Sequence, residues 1–468
     1  MKASSPPPSD ERPAPSSRRL DRHLHRIYFR GAGIRYFIER RCRPAGIALI
    51  LVLVLATCLG IGHDRSSIYQ FFSLSLGMVL IGIPWAFSRR ASLEAKRELP
   101  RFATAGVPLH YTVRIWQNGK RSLTRAWITD TPPDPRPSLE AFTILREPGE
   151  EERNKFDRHF AFFRWNWLLL RNRLFTGGSS EEDLNLRQGQ QARITLEITP
   201  LRRGVIKLDD LRVLLPDPFG LFQRCRKVKA PAATLTVLPS RFPLPPIELP
   251  GGAAFKISGE ANTTTIGTSG EFVGLRDYRP GDPLRQIHWK SWARTGRPIV
   301  KELEDTFYPR YGLIVDTLSC ERTDHHFEEA ISVAASFAAS LDTSESLLDL
   351  MFIKNTAHIV TAGRGVDRAE KLLEVLAGVT PERIDKFDEL AQLVTLHRDD
   401  LTSCLVIFNG WDQARERFLN TLTSRGIVCA PIIIGSGPAP GNTPGHWLES
   451  GHIARDLQRL PTRLATPL

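Results

Sequence analysis

Cysteine is scarce in this 468-residue sequence, and none of it forms a recognisable pair. The six cysteines are widely scattered and no C-x-x-C motif occurs; they are Cys42, Cys58, Cys225, Cys320, Cys404 and Cys429. Neither a disulfide framework nor a zinc finger has this spacing. The sequence therefore predicts free thiols in a reducing compartment.

The signature motifs of several enzyme classes are also missing. The sequence has no G-x-x-x-x-G-K-[ST] segment, so we expect no ATP binding through a P-loop of its own. The segment Gly363-Arg364-Gly365 lacks the third glycine of a dinucleotide-binding turn, and no G-x-S-x-G nucleophile elbow occurs. These absences favour a protein that is not an enzyme.

Basic residues exceed acidic residues by 12, and this excess is unevenly distributed. Residues 1–44 carry eleven Lys or Arg against four Asp or Glu, and residues 88–101 carry five against two. The rest of the chain is nearly neutral, whereas a nucleic-acid-binding domain normally spreads positive charge over a folded face. We therefore expect no nucleic-acid partner.

Two uncharged apolar runs lie between the basic stretches, at residues 45–62 and 68–87. Each is long enough to cross a hydrocarbon core of about 30 Å as a helix, and the short connection predicts a transmembrane helical hairpin over 45–87. Arginines flank the outer ends of this pair, so the positive-inside rule predicts that both chain termini are cytoplasmic. The alternatives are two buried core helices or a signal peptide. A signal peptide does not follow a 44-residue segment and lead directly into a second apolar run.

The segment before the hairpin, residues 1–44, is predicted to be disordered and basic. Its first seventeen residues contain five Pro and five Ser and little that is apolar. Residues 18–44 interleave apolar with basic side chains. This pattern is compatible with a helix lying on anionic lipid or with a solvated basic flank, and both alternatives stay open.

Residues 99–250 are predicted to form a β-rich, sandwich-like domain that needs no helix of useful length. Apolar and polar residues alternate over 108–116, and Asn118-Gly119 is a strong hairpin signal. The segment 156–175 is aromatic and basic without clean alternation. We interpret it as an inserted pair of strands whose aromatic side chains pack inward. The alternatives are an amphipathic patch on the bilayer and a segment that fills a cleft beside the membrane.

Short apolar strands alternate with amphipathic helices over residues 306–435, which predicts a mostly parallel, Rossmann-like α/β sheet covered on both faces. The strands are predicted at 311–316, 347–353, 357–361, 402–408 and 427–434, and the helices at 324–341, 367–377, 387–397 and 412–424. Ligands of such sheets bind beyond the carboxyl ends of the strands, where Asp316 and Asn409 would lie. Residues 436–468 are assigned to a C-terminal tail.

Residues 266–305 are predicted to form a linking unit of turn, short helix, turn and strand. Asp282 is expected to cap the helix after the turn at Pro280-Gly281, and Thr295-Gly296 is expected to end it. Arg and Lys alternate with Asp and Glu here. This favours an internal lattice of ion pairs, with an exposed anion or nucleic-acid site over 276–297 as the alternative.

Three short motifs resemble those of the bacterial membrane proteins grouped as domain of unknown function 58 (DUF58), over roughly residues 45–435. They are Arg202-Arg203-Gly204, then Asp217, Pro218, Phe219 and Gly220, then Tyr278, Gly281, Asp282, Arg285, His288, Trp289 and Lys290. The resemblance implies two N-terminal membrane spans, a β-rich segment and a von Willebrand factor A-like α/β domain. It also implies the bacterial inner (cytoplasmic) membrane as location, and a MoxR-type AAA ATPase and other membrane proteins as partners.

The resemblance also raises the question of a metal site. A von Willebrand factor A domain holds Mg²⁺ through a D-x-S-x-S turn, and the matching run here begins at Asp316. Leu318 and Cys320 stand where the two serines belong, so two hard oxygen ligands are missing. Asp316, Ser319 and Asp412 would be the remaining, degenerate ligand set. We therefore expect no bound metal and no other cofactor.

Together these observations predict a multi-pass, membrane-anchored scaffold or adaptor that is not an enzyme and acts with the bilayer and a MoxR-type AAA ATPase in the assembly or maturation of envelope complexes. Three alternatives remain. They are a metal-dependent hydrolase that uses Asp316 and Asp412, cysteine chemistry at Cys320, and anion or nucleic-acid binding through residues 276–297.

Overall fold

The computed structural model describes residues 15–59, 66–119, 122–180, 182–250, 271–304, 309–318, 325–340, 347–362, 367–441 and 443–464. The chain divides into two compact units, Met1–Leu238 and Pro239–Leu468. The first unit thus ends at Leu238 rather than at the predicted residue 250.

Three helices open the first unit: α1 (Pro15–Arg41), α2 (Pro44–Leu59) and α3 (Ser66–Ser88). The disorder predicted for the first seventeen residues is wrong for residues 15–17, where α1 begins, and residues 1–14 lie outside the described residues. Over 18–41 the chain is helical, as one of the two open alternatives requires. Helices α2 and α3 match the two apolar runs and pack against each other. In the described part of the chain, Tyr69–Ser88 is the one helical stretch long and apolar enough to cross a membrane, and Pro44–Cys58 is a shorter apolar helix. The predicted tight connection between them falls on residues outside the description.

The strands of the first unit form three sheets, in the orders β1-β3-β7-β5, β10-β9-β4-β6 and β2-β11-β8. Their bounds are β1 (Leu93–Glu98), β2 (Phe102–Thr104), β3 (Leu109–Gln117), β4 (Leu123–Asp130), β5 (Phe175–Gly177), β6 (Leu184–Leu186), β7 (Gln191–Pro200), β8 (Gly204–Leu208), β9 (Leu211–Pro216), β10 (Gln223–Lys227) and β11 (Ala233–Leu238). Alternate residues such as Val113, Ile115, Leu196 and Ile198 are buried in one common core. The region is therefore rich in β-structure, and its three sheets share one core.

The hairpin predicted at Asn118-Gly119 is wrong. Strand β3 pairs with β1 and β7, whereas β4 pairs with β6 and β9, so the strands on either side of this turn belong to different sheets. The backbone N–H of Asn118 donates to the Ser92 carbonyl oxygen instead, at 3.0 Å. An alternating pattern predicts which side chains face the core, but it does not say which of two facing sheets a strand joins.

Two further predictions for this domain are also wrong: that it needs no helix of useful length, and that residues 156–175 form a pair of strands. The structure has α4 (Leu139–Ile144), a 3-10 turn at Glu150–Glu152, α5 (Lys155–Phe160) and α6 (Phe162–Asn172). Trp165 and Leu168 of α6 are buried against Phe142 of α4 and Leu24 of α1. Aromatic residues favour strands in isolation, but here the packing against α1 overrides that preference.

The second unit contains the antiparallel pair β12 (Glu271–Asp277) and β13 (Ile299–Glu304). A 3-10 turn (Leu284–Gln286) and α7 (Trp289–Thr295) lie between them, so the single helix predicted here is divided in two. Gly296 ends α7 in the left-handed conformation, with φ of 70°, as the Thr295-Gly296 pair predicts. Residues 266–270 and 305 of the predicted unit lie outside the described residues.

Within the described residues, the rest of the second unit is a mixed sheet in the order β16-β15-β14-β17-β18-β19. The strands are β14 (Arg310–Val315), β15 (Leu347–Lys354), β16 (Thr356–Ala362), β17 (Ser403–Phe408), β18 (Cys429–Gly435) and β19 (His446–Glu449). Edge strand β16 is antiparallel to β15, and the other pairs are parallel. If these six strands are numbered 1 to 6 in chain order, the sheet has the order 3-2-1-4-5-6, which is that of a doubly wound fold. This confirms the predicted α/β class.

The helices around this sheet follow the predicted alternation. They are α8 (His325–Ser340), α9 (Asp367–Ala377), α10 (Phe387–Leu396), α11 (Gln413–Ser424) and α12 (Ile453–Gln458). The C-terminal tail predicted for 436–468 is wrong over most of its length, because β19 extends the sheet and α12 follows it. Leu448 and Leu457 are buried. A four-residue strand in a Gly/Pro-rich stretch is too short to give a periodic signal.

Candidate functional site

Asp316 and Asn409 lie side by side at the carboxyl edge of the sheet. Asp316 follows β14 and Asn409 follows β17, and these neighbouring strands flank the point where the strand order reverses. The Asn409 backbone N–H donates to Asp316 Oδ2 at 3.3 Å, and its side-chain amide donates to the Leu318 carbonyl oxygen at 2.9 Å. Doubly wound sheets bind their ligands at this position.

The guanidinium group of Arg415 joins two of the predicted metal ligands. Its Nε donates to Asp316 Oδ2 at 2.7 Å, and its Nη1 donates to Asp412 Oδ2 at 2.5 Å. Its Nη2 donates to the Leu318 carbonyl oxygen at 2.8 Å and to Asn409 Oδ1 at 2.5 Å. A planar cation supplied by the chain itself therefore bridges the acidic groups of the site.

Local structure explains how Arg415 reaches this position. Asp412 is the N-cap of α11, and its Oδ1 accepts the backbone N–H groups of Ala414 and Arg415 at 3.1 and 3.0 Å. Arg415 lies in the first turn of the same helix, three positions after the cap, so its side chain turns back toward Asp412. Asp412 and Arg415 are thus held together at the start of α11, and Arg415 contacts Asp316 at the carboxyl edge of the sheet.

The charges at this site are buried and mutually compensated. Asp316 and Arg415 are both buried, whereas the Asp412 side chain is half exposed. Burial raises the pKa of Asp316, and the charge of Arg415 opposes that rise. Burial also lowers the pKa of Arg415, but Asp316 and Asp412 more than reverse this, so that the arginine pKa lies above its ordinary value. Such a pair offsets its loss of hydration only when its hydrogen bonds are complete, as they are here for the guanidinium.

The described residues do not fit a divalent cation at this edge. Asp316 Oδ1 already accepts the Leu318 N–H at 2.9 Å, and Asp316 Oδ2 accepts Arg415. A metal ion would have to displace a guanidinium of the same sign of charge. Ser319, the third predicted ligand, lies outside the described residues, as does Cys320. No group of three His, Cys, Asp or Glu side chains that could hold a metal occurs in the described ranges.

The second DUF58-like motif, Asp217-Pro218-Phe219-Gly220, forms the turn between β9 and β10. The Asp217 N–H donates to the Phe222 carbonyl oxygen at 2.8 Å, and Asp217 Oδ1 accepts the N–H groups of Leu221 and Phe222 at 2.7 and 3.0 Å. Gly220 adopts the left-handed conformation, with φ of 70°, which favours glycine. Asp and Gly at these positions are therefore required by the turn itself.

This turn packs against the apolar helices of the first unit. The Arg43 N–H, just before α2, donates to the Leu221 carbonyl oxygen at 3.0 Å. Leu221 and Phe222 form an apolar cluster with Ala86 of α3. A Cβ atom on Gly82 of α3 would lie 2.7 Å from Asp217 Oδ2. The motif thus fastens the β-rich part to α2 and α3, a role that its sequence did not predict.

The later DUF58-like motif is organised around one ion pair. Arg276 donates from Nη1 and Nη2 to the two Asp282 carboxylate oxygens at 2.7 and 2.8 Å, and the Arg279 N–H donates to Asp282 Oδ2 at 2.8 Å. The side-chain hydrogen bond from Arg276 lowers the pKa of Asp282 to about 2. The prediction that Asp282 caps a helix is therefore wrong, because its carboxylate binds Arg276 and the turn at Arg279. Of the predicted lattice of ion pairs, the described residues of this unit show the pair of Arg276 with Asp282 and a longer contact of Arg276 with Glu302, at 3.8 Å.

Tyr278, Gly281 and His288 shape the backbone of this unit. The Tyr278 N–H donates to the Pro298 carbonyl oxygen at 3.0 Å, and the His288 N–H donates to that of Ile299 at 2.8 Å. Gly281 has a φ of 107°, in the region that favours glycine. His288 Nδ1 also lies 2.6 Å from the Ser291 hydroxyl oxygen. These residues hold the turn and α7 against β13.

Arg285, Lys290 and Trp289 project from the same unit. Trp289 is 62% exposed, and its ring stacks on Trp292 with centroids 5.3 Å apart. The side chains of Arg285 and Lys290 are exposed and make no hydrogen bond or ion pair with any residue that the structure describes. This surface combines stacked aromatic rings with uncompensated positive charge.

The second unit is thus a doubly wound α/β domain that carries a bridging arginine at its ligand edge. Residues 274–406 match the family model described as "Protein of unknown function DUF58". The match includes the motif from Tyr278 to Lys290 and Asp316, and it ends before Asn409, Asp412 and Arg415. No curated protein matches the chain.

Several solved structures are similar to parts of the chain at low sequence identity. They include an aerotolerance-related membrane protein from Bacteroides fragilis (9% identity, 32% of this chain and 87% of that one, TM-score 0.22). A second is manganese-loaded TRAP protein from Plasmodium vivax (15% identity, 34% of this chain and 76% of that one, TM-score 0.24). A third is proximal thread matrix protein 1 from the mussel byssus (12% identity, 28% of this chain and 37% of that one, TM-score 0.23). The chain thus spans little more than a third of the mussel protein.

Proposed function

We propose that this protein is a membrane-anchored, non-enzymatic adaptor whose α/β domain, von Willebrand factor A-like in type, binds a partner protein without a metal ion. The anchor is the pair α2 and α3, which crosses the bacterial inner membrane as a hairpin and leaves both chain ends in the cytoplasm. The partner binds at the carboxyl edge of the sheet.

The observation that carries this proposal is the position of Arg415. Its guanidinium group already neutralises Asp316 and Asp412, the carboxylates that a metal-dependent hydrolase would need as free ligands. A positive group supplied by the chain can hold the edge in one conformation, which suits a binding surface better than a reaction centre that must exchange water and substrate.

The anchoring part of the proposal is supported by composition and by the way the first unit is built. The stretch Tyr69–Ser88 has the length and hydropathy of a membrane span. Exposed apolar side chains on α2 and α3, such as Leu51, Leu55, Phe71 and Leu74, face away from the rest of the unit. In water such a surface would be unfavourable, and lipid chains would cover it.

A MoxR-type AAA ATPase is our proposed partner, on the basis of the DUF58 resemblance. The test is co-expression of the full-length protein with a MoxR-type ATPase from the same genome, followed by co-purification in detergent. Gln413→Arg adds a charge beside the edge, in the first turn of α11. The matched control, Asn420→Arg, adds the same charge two turns further along that helix. Gln413 and Asn420 are both exposed in the wild type.

We expect the wild type and Asn420→Arg to retain the ATPase, and Gln413→Arg to lower its recovery about tenfold, the effect of losing one well-placed interaction. Failure of the wild type to retain the ATPase would contradict the partner assignment. Equal recovery with both variants would contradict the proposed edge.

A second candidate function is anion binding through residues 276–297. It is favoured by the uncompensated side chains of Arg285 and Lys290 beside the exposed, stacked Trp289. Nucleic acid would use the same features, since stacked aromatics and cations bind single strands. The diagnostic sign is an affinity for an oligonucleotide that falls steeply with salt and drops when Arg285 and Lys290 are both changed to Ala.

A further inference from the structure

A cleft lies in the first unit where α1, α2, α3 and β10 meet. Its volume is about 340 Å³, within the range of about 300–1,000 Å³ that is typical of small-molecule sites. Apolar side chains line most of it, from Phe37 of α1, Ile50 of α2, Ile83 and Phe87 of α3, and Phe222 beside β10. The cleft is therefore continuous with the apolar surface of α2 and α3.

Arginines line the other side of this cleft. Arg41, Arg224 and Arg226 all contribute to the lining, and no Asp or Glu does so within the described residues. The Arg41 guanidinium carbon lies 4.5 Å from the ring centroid of Phe37 and 5.2 Å from that of Phe87, so the cation sits directly on the apolar wall. The cleft thus combines an apolar floor with uncompensated positive charge.

The electrostatics and hydrogen bonds divide these arginines into two roles. Burial lowers the pKa of Arg224, and the nearby charges of Arg226, Arg90 and Arg41 lower it further. Arg224 Nη1 is engaged by the carbonyl oxygens of Phe87 and Arg89, the latter at 3.0 Å, and so helps to end α3. Arg41 and Arg226 make no side-chain hydrogen bond or ion pair with the residues that the structure describes. These two guanidinium groups are available to an anion.

We propose that this cleft binds an anionic phospholipid, whose phosphate contacts Arg41 and Arg226 and whose acyl chain lies along Ile50, Ile83 and Phe87. Arginine suits this task because its guanidinium can donate two parallel hydrogen bonds to phosphate oxygens. A free phosphate ion would use the arginines but would gain nothing from the apolar wall, so that wall favours a lipid. This inference rests on the proposed anchoring of α2 and α3, which brings the cleft to the level of the lipid headgroups.

The test uses the full-length protein in detergent micelles and two lipids, dioleoylphosphatidylglycerol and dioleoylphosphatidylcholine. The charge variant is Arg41→Gln with Arg226→Gln, and its matched control is Arg187→Gln with Arg193→Gln, two exposed arginines of the β-rich part. Arg224 is left intact because it supports α3. The volume variant is Ile50→Trp, and its matched control is Leu51→Trp on the adjoining, exposed face of α2.

We expect saturable binding of phosphatidylglycerol, with phosphatidylcholine bound at least about tenfold more weakly, and loss of that preference in the charge variant. The volume variant should weaken binding of both lipids, and the two controls should behave as wild type. Absence of saturable phosphatidylglycerol binding would overturn the proposal. Equal binding of the two lipids would also overturn it. The same holds if inorganic phosphate competes with phosphatidylglycerol and the volume variant binds the lipids as well as the wild type does.

Alkaline carbonate extraction of cell membranes separates this inference from the anchoring on which it depends. Release of the wild-type protein by carbonate would contradict the anchor itself. A protein that stays in the membrane but binds no phosphatidylglycerol in micelles would contradict the lipid site alone.

Discussion

Gly46 of α2 lies directly against the carbonyl group of Leu221, so closely that a Cβ atom at this position would overlap the carbonyl oxygen. The same oxygen accepts the Arg43 N–H at 3.0 Å. The Leu221 carbonyl group, which directly follows the Asp217-Pro218-Phe219-Gly220 turn, therefore contacts the first turn of α2. Only glycine, which has no Cβ atom, fits at position 46. The contact joins the two parts of the first unit that the DUF58-like motif holds together.

Gly46→Ala should therefore destabilise the first unit. The added methyl group meets backbone atoms, which cannot rotate away, and overpacking of this kind costs about 1–3 kcal/mol. The measurement is the free energy of unfolding of the full-length protein in detergent. Gly77→Ala is the matched control, because a Cβ at that position of α3 would meet no atom within 4 Å other than those of the adjoining turns of its own helix. Equal stability of the two variants would contradict the close contact.

Asp217 should be needed for its acceptor atom more than for its charge. Asp217→Ala leaves the buried N–H groups of Leu221 and Phe222 without a side-chain acceptor and should cost about 1–3 kcal/mol of unfolding free energy. Asp217→Asn keeps an oxygen in the same place and should recover at least half of that loss. Chemical denaturation of both variants is the measurement, and an asparagine variant as unstable as the alanine variant would contradict this account.

The pH dependence of the second unit should reveal the Arg276–Asp282 pair. The pKa of Asp282 falls from 3.8 to about 2 in the folded protein, so its protonation is harder in the folded than in the unfolded state. The pair therefore contributes its full stability above pH 3.8, and that contribution disappears as the pH falls through about 2.

A carbon-13 titration of labelled aspartate carboxyl groups, assigned with Asp282→Asn, measures this directly. Arg276→Gln should return the Asp282 pKa toward 3.8. Glu302→Gln removes a carboxylate 3.8 Å from Arg276 and should leave the titration of Asp282 nearly unchanged. An Asp282 pKa that does not respond to the loss of Arg276 would contradict the assigned cause.

The α/β domain could be predicted from sequence because its strands are continuous apolar runs and its helices are amphipathic. The helix at 367–377 has the predicted bounds, and strand β14 differs from its prediction by one residue at each end. The position of Asp316 at the ligand edge follows from the same pattern.

The bridging arginine could not be predicted in the same way. Arg415 and Asp316 are 99 positions apart, and only the folded sheet brings them together. The one local signal was the spacing of Asp412 and Arg415 in a first helical turn, which is common on exposed helices and says nothing about Asp316. Likewise, the helical state of α6 depends on the packing of Trp165 against α1, which lies more than a hundred residues earlier.

Arg415→Ala should strongly destabilise the second unit. Removal of one partner leaves the Asp316 carboxylate buried without its main counter-charge, and such a loss costs about 3–5 kcal/mol. Arg417→Ala on the exposed face of the same helix is the control and should lie within about 0.5 kcal/mol of wild type. Thermal unfolding of the full-length protein compares the two. A mild effect at position 415 would contradict the buried bridge.

The most direct test of the central claim, that Arg415 takes the place of a metal ion, is a calorimetric titration of the full-length protein with MgCl₂ and with MnCl₂. The account predicts no saturable heat and no change in the unfolding temperature for either ion. Saturable binding that Asp316→Ala abolishes would contradict it, because Asp316 would then be a metal ligand rather than the partner of Arg415.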